Sequence, residues 1–189
     1  MTDDLADLHE RALAAAREVV AGIGIEQWRV PTPCEGWDVR TLLNHLVAGN
    51  LWVAPLMTGQ SIAGVGDRLD GDVLGHDPLA AYEASAQEAA ATFQAPGALE
   101  VPAAVSYGPV PGRVYAGHRL IEAVVHGWDL ATATGQDATI GPELAQATWD
   151  VIEPQRADLQ ASGAFRPARP VGPGASVAER LLAVVGRSG

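Results

Sequence analysis

Cysteine is nearly absent from this chain: Cys34 is the single one in 189 residues. One thiol cannot close an internal disulfide or build a multi-cysteine metal site, so neither scaffold applies. Positive charge is scarce as well. Lys and Arg together number 12 against 23 Asp and Glu, for a net charge of −11 and a pI near 4.7, and the cations are scattered. A nucleic-acid surface needs clustered positive charge to neutralise phosphates, and an anionic membrane surface needs the same sign, so neither partner is expected. No apolar run approaches the ~20 residues of a membrane span. The start, MTDDLADLHERALAAAREVV, is acidic and lacks the charged-then-apolar layout of a secretory signal. A soluble, cytoplasmic protein is the expectation.

What is present is a globular composition, 48% hydrophobic and 19% charged. The length suits one domain with a sizeable core over residues 1–189, of which 170–189 would be an arm and a short helix. Helical patterns alternate with proline and glycine. Leu5, Leu8, Leu13 and Val19 or Val20 share a face, which predicts a helix over 3–22 ending at Gly22 or Gly24. The loop VPTPCEGW follows. Asp38 is a good N-cap for a second helix from residue 39 to about Leu56, stopped by Gly59. Residues 58–77, rich in Gly and Asp, read as a long loop. Asp77 and Pro78 open a third helix. Residues 97–111 read as an irregular excursion or a short extended segment. A fourth helix runs from about Arg113 to Thr134 and is closed by Gly135. A fifth stretch over 142–161 should kink or split at Pro154. A proline-rich arm and a short helix, SVAERLLAVVG, end the chain. The fold class is all-α, an up-and-down bundle of four main helices with C-terminal additions.

The stretch LIEAVVHGWDLATATG, residues 120–135, carries the strongest chemical signal. Glu122 and His126 are four apart, so on a helix their side chains point the same way, one turn above the other. The neighbours Ile121, Val124 and Val125 mark that helix as buried over much of its circumference. An ionised Glu there is costly without a partner, and a divalent cation is an economical one. His45, flanked by Leu42, Leu43, Leu46 and Val47, can reach the same place from another helix. Two histidines and a glutamate are a donor set associated with catalytic zinc sites that keep a position open. A bland reading stands beside this one: Glu122 as a surface residue or an ion-pair partner of Arg119 or Arg40, and His126 as a satisfied core histidine.

His118 extends the ladder to i, i+4, i+8, but its ends are about 12 Å apart at ~1.5 Å rise per residue, too far for one ion. It is expected at a cavity mouth or in solvent, with support of a ligand or proton transfer as its chemical options. Asp129, three residues after His126, can orient that histidine from behind or take part in proton transfer, and can equally be an ordinary polar residue towards the helix end. Cys34 precedes the second helix, and His45 lies seven residues past Asp38, about 10 Å up the axis. Of the roles open to Cys34, nucleophile, fourth ligand or packed side chain, direct ligation is therefore not expected and a small packed cysteine in a loop is. His9 and His76, in acidic or loop contexts, are expected to face solvent. Trp37, Trp128 and Trp149 read as packing residues, and Trp52, two turns from His45, as packing or the wall of a pocket.

The blocks TPCEGWDVRTLLNHLVAGN and EAVVHGWDLATATG together resemble the metal-binding domain of mycothiol-dependent maleylpyruvate isomerases, within the DinB-like four-helix bundle superfamily. The likeness is greatest to a shorter branch of metal-binding proteins and covers residues 5–186. It implies a divalent metal, commonly zinc or nickel, held by His45, Glu122 and His126. It also implies mycothiol as a co-substrate, bound as thiolate, or an electrophile polarised by the metal; a cation beside sulfur lowers its pKa and delivers the nucleophile at neutral pH. The isomerases carry a further C-terminal domain where this sequence has an arm and a short helix, so the resemblance leaves the reaction open.

Three functions follow as expectations. The first is a metal-dependent thiol S-transferase or isomerase acting on a small electrophile, with a small-molecule thiol or electrophile as partner. The second is a non-catalytic, metal-dependent binder of a small ligand, and the third a bundle whose metal is structural. A structural site prefers four protein ligands and three are found, which favours an open site. Homodimerisation stays open, since no apolar stripe marks an interface.

Overall fold

Alanine-rich, leucine-spaced stretches become helices in this protein, and proline and glycine set their limits. The computed structural model describes residues 5–106, 108–163 and 165–188, and it is mostly helical with one two-stranded sheet. Helix α1 (Leu5–Ala21) buries Ala6, His9, Ala12, Leu13, Ala16 and Val20 along one face; residues 3 and 4 of the expected helix lie outside the described residues. The Asp38 carboxylate accepts from the Thr41 amide at 2.8 Å and opens α2 (Val39–Leu51). The run expected to reach Leu56 breaks at Trp52 and resumes as α3 (Val53–Met57). Pro55 accounts for the break: it has no N–H to offer the Leu51 carbonyl, and its ring crowds that oxygen.

The expected long loop contains one turn of helix, α4 (Ile62–Val65), capped by the Ser61 hydroxyl. Helix α5 (Pro78–Gln94) starts as expected, with the Asp77 carboxylate accepting from the Ala80 amide at 3.0 Å. The 97–111 stretch is an antiparallel hairpin, β1 (Pro102–Val105) and β2 (Gly108–Pro111), with Ala103 opposite Val110; Tyr107 of that stretch lies outside the described residues. Helix α6 (Gly112–Thr134) ends at Gly135, whose φ of 69° is the left-handed conformation that glycine adopts without strain.

The chain forms two compact units, residues 1–138 and 139–189. In the first, α1 and α2 each pack against both α5 and α6. Gly127 of α6 lies against Ala16 of α1, where an added Cβ would stand only 3.3 Å from the Ala16 Cβ. Val53, Leu56, Ala89, Phe93, Tyr115 and Ala116 form an apolar cluster in this unit, and Trp52 packs half-buried against it. In the second unit, α7 (Pro142–Ile152) and α8 (Arg156–Ser162) are separated by a tight turn at Pro154, and α7 packs against α9 (Val177–Val184). The Arg180 guanidinium sits 5.2 Å over the Trp149 ring. No helix among the described residues is long and apolar enough to cross a membrane.

His9 departs from expectation. It is fully buried rather than solvent-facing, and its ring meets Phe93 edge-on at 5.1 Å. Neither ring nitrogen has a hydrogen-bond partner among the described residues. Burial, reinforced by the charge of Arg119, pushes its pKa down to about 3. The unfolded chain protonates this histidine near its ordinary 6.5, whereas the folded chain resists until about 3. The stability tied to neutral His9 is therefore complete above pH 6.5 and is lost as pH falls through that window. Unfolding free energy from urea titrations should drop about 2 kcal/mol more between pH 7 and pH 5 in the wild type than in His9→Leu. Parallel pH dependence in the two proteins would contradict a neutral buried His9.

Candidate metal centre

Helix α6 places Glu122 and His126 on one face, and α2 brings His45 to them. The Glu122 Oε2 atom stands 2.7 Å from His45 Nε2 and 3.3 Å from His126 Nε2. The two imidazole rings meet edge-to-face, with centroids 5.3 Å apart. His126 is nearly enclosed, its side chain 8% exposed, while Glu122 is 25% and His45 39% exposed, so the cluster opens to solvent on the His45 side.

These three residues form a group whose donor atoms all lie within 4.8 Å of one another. A tetrahedral ion with bonds of about 2.0–2.1 Å sets its ligands roughly 3.3 Å apart, so both distances from Glu122 already match that spacing to within a small outward movement of His45. The donor chemistry, two imidazoles and a carboxylate, suits zinc or nickel. The residues fit a divalent metal.

The electrostatics of the cluster are tightly balanced. Burial works against an ionised Glu122, yet the attraction of His126, hydrogen bonds from His126 and His45, and the charge of Arg119 hold its carboxyl well below the usual range. Burial likewise works against a charged His126, and the neighbouring Glu122 carboxylate, Asp129 and Cys34 outweigh it, holding its pKa well above 6.5. Asp129 is fully buried, and its Oδ2 accepts from His126 Nδ1 at 3.0 Å. That bond fixes the proton on Nδ1 and leaves Nε2 as the donor atom aimed at Glu122. Arg119, one turn before Glu122, is 6% exposed and donates from Nη2 to Asn50 Oδ1 at 3.1 Å.

The TPCEGW loop completes the site. The Thr32 hydroxyl donates to the Trp37 carbonyl at 2.9 Å and accepts from the Cys34 amide at 3.2 Å, while the Trp37 amide donates to the Cys34 carbonyl at 3.1 Å. Gly36, at φ 78°, supplies the left-handed step that closes this turn. Cys34 is thereby carried back to α6, with Sγ 3.2 Å from Asp129 Oδ2 and 3.7 Å from His126 Nδ1. Trp37, from the same loop, stands beside both imidazoles, its ring 4.9 Å from His45 and 6.5 Å from His126.

Of the residues singled out in the sequence, the structure brings together His45, Glu122, His126 and Asp129. His118 is half-buried on α6 and belongs to neither cluster of metal-capable groups among the described residues. His76 is exposed. Two contributions were not anticipated. Cys34 belongs to a second cluster of close donor atoms with His126 and Asp129, and Trp37 flanks the imidazoles. The axial-rise estimate that set Cys34 apart treats the loop as leading away from the helices, whereas the Thr32 bonds and the Gly36 reversal fold it back. Glycine between Cys34 and Trp37 was the available signal.

In metal-stripped protein, His126 should hold its second proton to well above pH 6.5. Glu122→Gln should lower that pKa most and Asp129→Asn less, following the order of their attractions. Imidazole 15N shifts across a pH series measure both, and an unshifted His126 in Glu122→Gln would disprove the coupling.

Residues 9–131 match the family model described as the mycothiol maleylpyruvate isomerase N-terminal domain, a span that contains every residue of both clusters. Two uncharacterised proteins of Mycobacterium tuberculosis, MT0763 of strain CDC 1551 / Oshkosh and Rv0738 of strain H37Rv, are similar to this chain. Each is 36% identical over 141 residues, covering 72% of this chain and 71% of the relative. No solved structure matches the chain.

Proposed function

This chain belongs to the mycothiol maleylpyruvate isomerase N-terminal domain family, and from that premise we propose that it is a metal-dependent thiol S-transferase or isomerase-like enzyme acting on a small electrophile. The observation that carries this reading is the convergence of His45, Glu122 and His126, three good ligands with solvent access on the His45 side. A structural ion prefers a closed set of four protein ligands, and three with an open side favour exchange with a small molecule. The packing of α1, α2, α5 and α6 is consistent with a DinB-like four-helix bundle holding this centre in its core.

His45 Nε2, Glu122 Oε2 and His126 Nε2 would hold a divalent ion, zinc or nickel by donor type. When bound, such an ion supplies Lewis acidity, which draws the proton from a thiol near neutral pH or polarises an electrophile. The chain's own groups do the rest. Asp129 keeps the proton on His126 Nδ1 and the ring in place. Glu122 contributes the negative charge that offsets the cation. Trp37 shields the His45 face with an apolar ring that a thiol or electrophile would meet on approach. His118, one turn before Glu122, and Asp129 are the groups assigned to hold or move a proton. The co-substrate is a small thiol, mycothiol by family.

Metal analysis of the purified protein tests the premise. The expected result is about one zinc or nickel per chain, and less than a tenth of that in His45→Ala and Glu122→Gln. A wild type that takes up no stoichiometric metal after stripping and reloading overturns the reading. Conjugation assays with mycothiol and a panel of electrophiles then separate catalysis from binding. Turnover that requires the metal supports the enzyme, and a loaded protein inert with every thiol tried favours a non-catalytic ligand binder.

A further inference from the structure

The thiol of Cys34 has no part in the three-residue donor set, yet it is held with care. The loop that carries it is fastened at both ends: the Val39 amide donates to the Val30 carbonyl at 3.0 Å, the Arg40 amide to the Trp28 carbonyl at 3.0 Å, and Pro31 and Asp38 form a β-bridge. Within it, Thr32 bonds to the backbone of both Cys34 and Trp37. This bracing brings Sγ to Asp129 Oδ2, 3.2 Å away, with His126 Nδ1 next to it at 3.7 Å, and the same carboxylate oxygen accepts from His126 Nδ1 at 3.0 Å. Asp129 is fully buried. A carboxylate in that position needs donors to hold it ionised and oriented, and each donor lost leaves it freer to turn away from the imidazole.

We propose that Cys34 is a positioning residue of the metal centre: its S–H orients the Asp129 carboxylate, which in turn holds His126 with Nε2 toward Glu122. The TPCEGW loop thus supports the centre through Cys34 while Trp37 of the same loop stands beside both imidazoles, so one turn of chain meets the ligands at two points. Cys34 acts on the ligand through Asp129 and through its own contact with the far nitrogen of His126, Nδ1, and it stands outside the three-residue donor set. The groups that orient a ligating histidine commonly change metal affinity about 10- to 100-fold when removed, and a thiol one step further out belongs at the lower end of that range. This inference rests on the metal-binding reading of His45, Glu122 and His126, but one of its readouts does not need the metal.

The test uses the full chain with Cys34→Ser, which keeps a hydroxyl donor, and with Cys34→Ala and Cys34→Val, which remove it, Val filling the space. Zinc affinity by competition with a chelating dye should fall about tenfold in both the Ala and Val variants and stay within about twofold of wild type in the Ser variant. Rescue by Ser but not by Val is what a packing role would not produce. The second readout is the His126 Nδ1–H resonance in zinc-free protein, expected to be sharp and downfield in wild type and Cys34→Ser and broadened in Cys34→Ala. Thermal unfolding of each variant identifies any that fails to fold, and the Ala variant serves if Val does not. Unchanged affinity in Cys34→Ala, or Ser as weak as Val, overturns the inference. Wild type that binds no zinc instead defeats the metal reading, and the His126 resonance then decides the role of Cys34 alone.

Discussion

An imidazole held between two carboxylates along one buried helix is the interaction on which the rest of the site depends. Neither His126 nor Asp129 would be tolerated singly in the interior of α6, where an ionised group loses its hydration, and Glu122 keeps only part of its own. Together they compensate. Their spacings of four and three residues put His126 within reach of both acids on consecutive turns, and the result is a charge arrangement that burial opposes and mutual attraction sustains. His45 comes to the exposed end of this chain, at Glu122, and Cys34 to its enclosed end, at Asp129.

The scaffold is arranged to permit that helix. Close approach of α1 at Gly127 and Ala16 seals the side of α6 next to His126. On the α2 side, Gly49 leaves room for the Arg119 guanidinium, with which a Cβ would collide, and Asn50 accepts from it. The buried Arg119 offsets part of the charge of Glu122, and it also depresses the pKa of His9. The polar interior of the first unit is therefore electrostatically connected from α1 to the donor cluster, while the apolar cluster around Phe93 and Tyr115 supplies ordinary packing.

Much of this was legible from residue order. The pair Glu122 and His126 was readable because helical periodicity is local, and the helix ends were readable wherever a cap or a proline marks them: Asp38, Asp77, Gly135 and Pro154 all act where expected. The break after Leu51 was missed although Pro55 is its cause, since a helical pattern continues on both sides. The acidic neighbours of His9 point to solvent, but the ring is buried. Its spacing from Ala6, Ala12 and Leu13 places it on the buried stripe of α1, and that period outweighs the charge of adjacent residues. The hairpin at 102–111 has small and proline-rich strands without the β-branched alternation that signals a strand.

By itself, then, the order of residues determined the helical character of the chain, most helix limits, and a glutamate and a histidine facing the same way. These follow from short-range rules: backbone propensity, capping and the 3.6-residue period. Only the tertiary structure decided that His45 meets Glu122 at 2.7 Å, that Asp129 takes the His126 Nδ1 proton, and that Cys34 turns back against both. Those contacts join residues 77, 3 and 95 positions apart. Even the short one required α6 to be buried before its charges had reason to pair. Periodicity says which way a side chain points, and only packing says what it finds there.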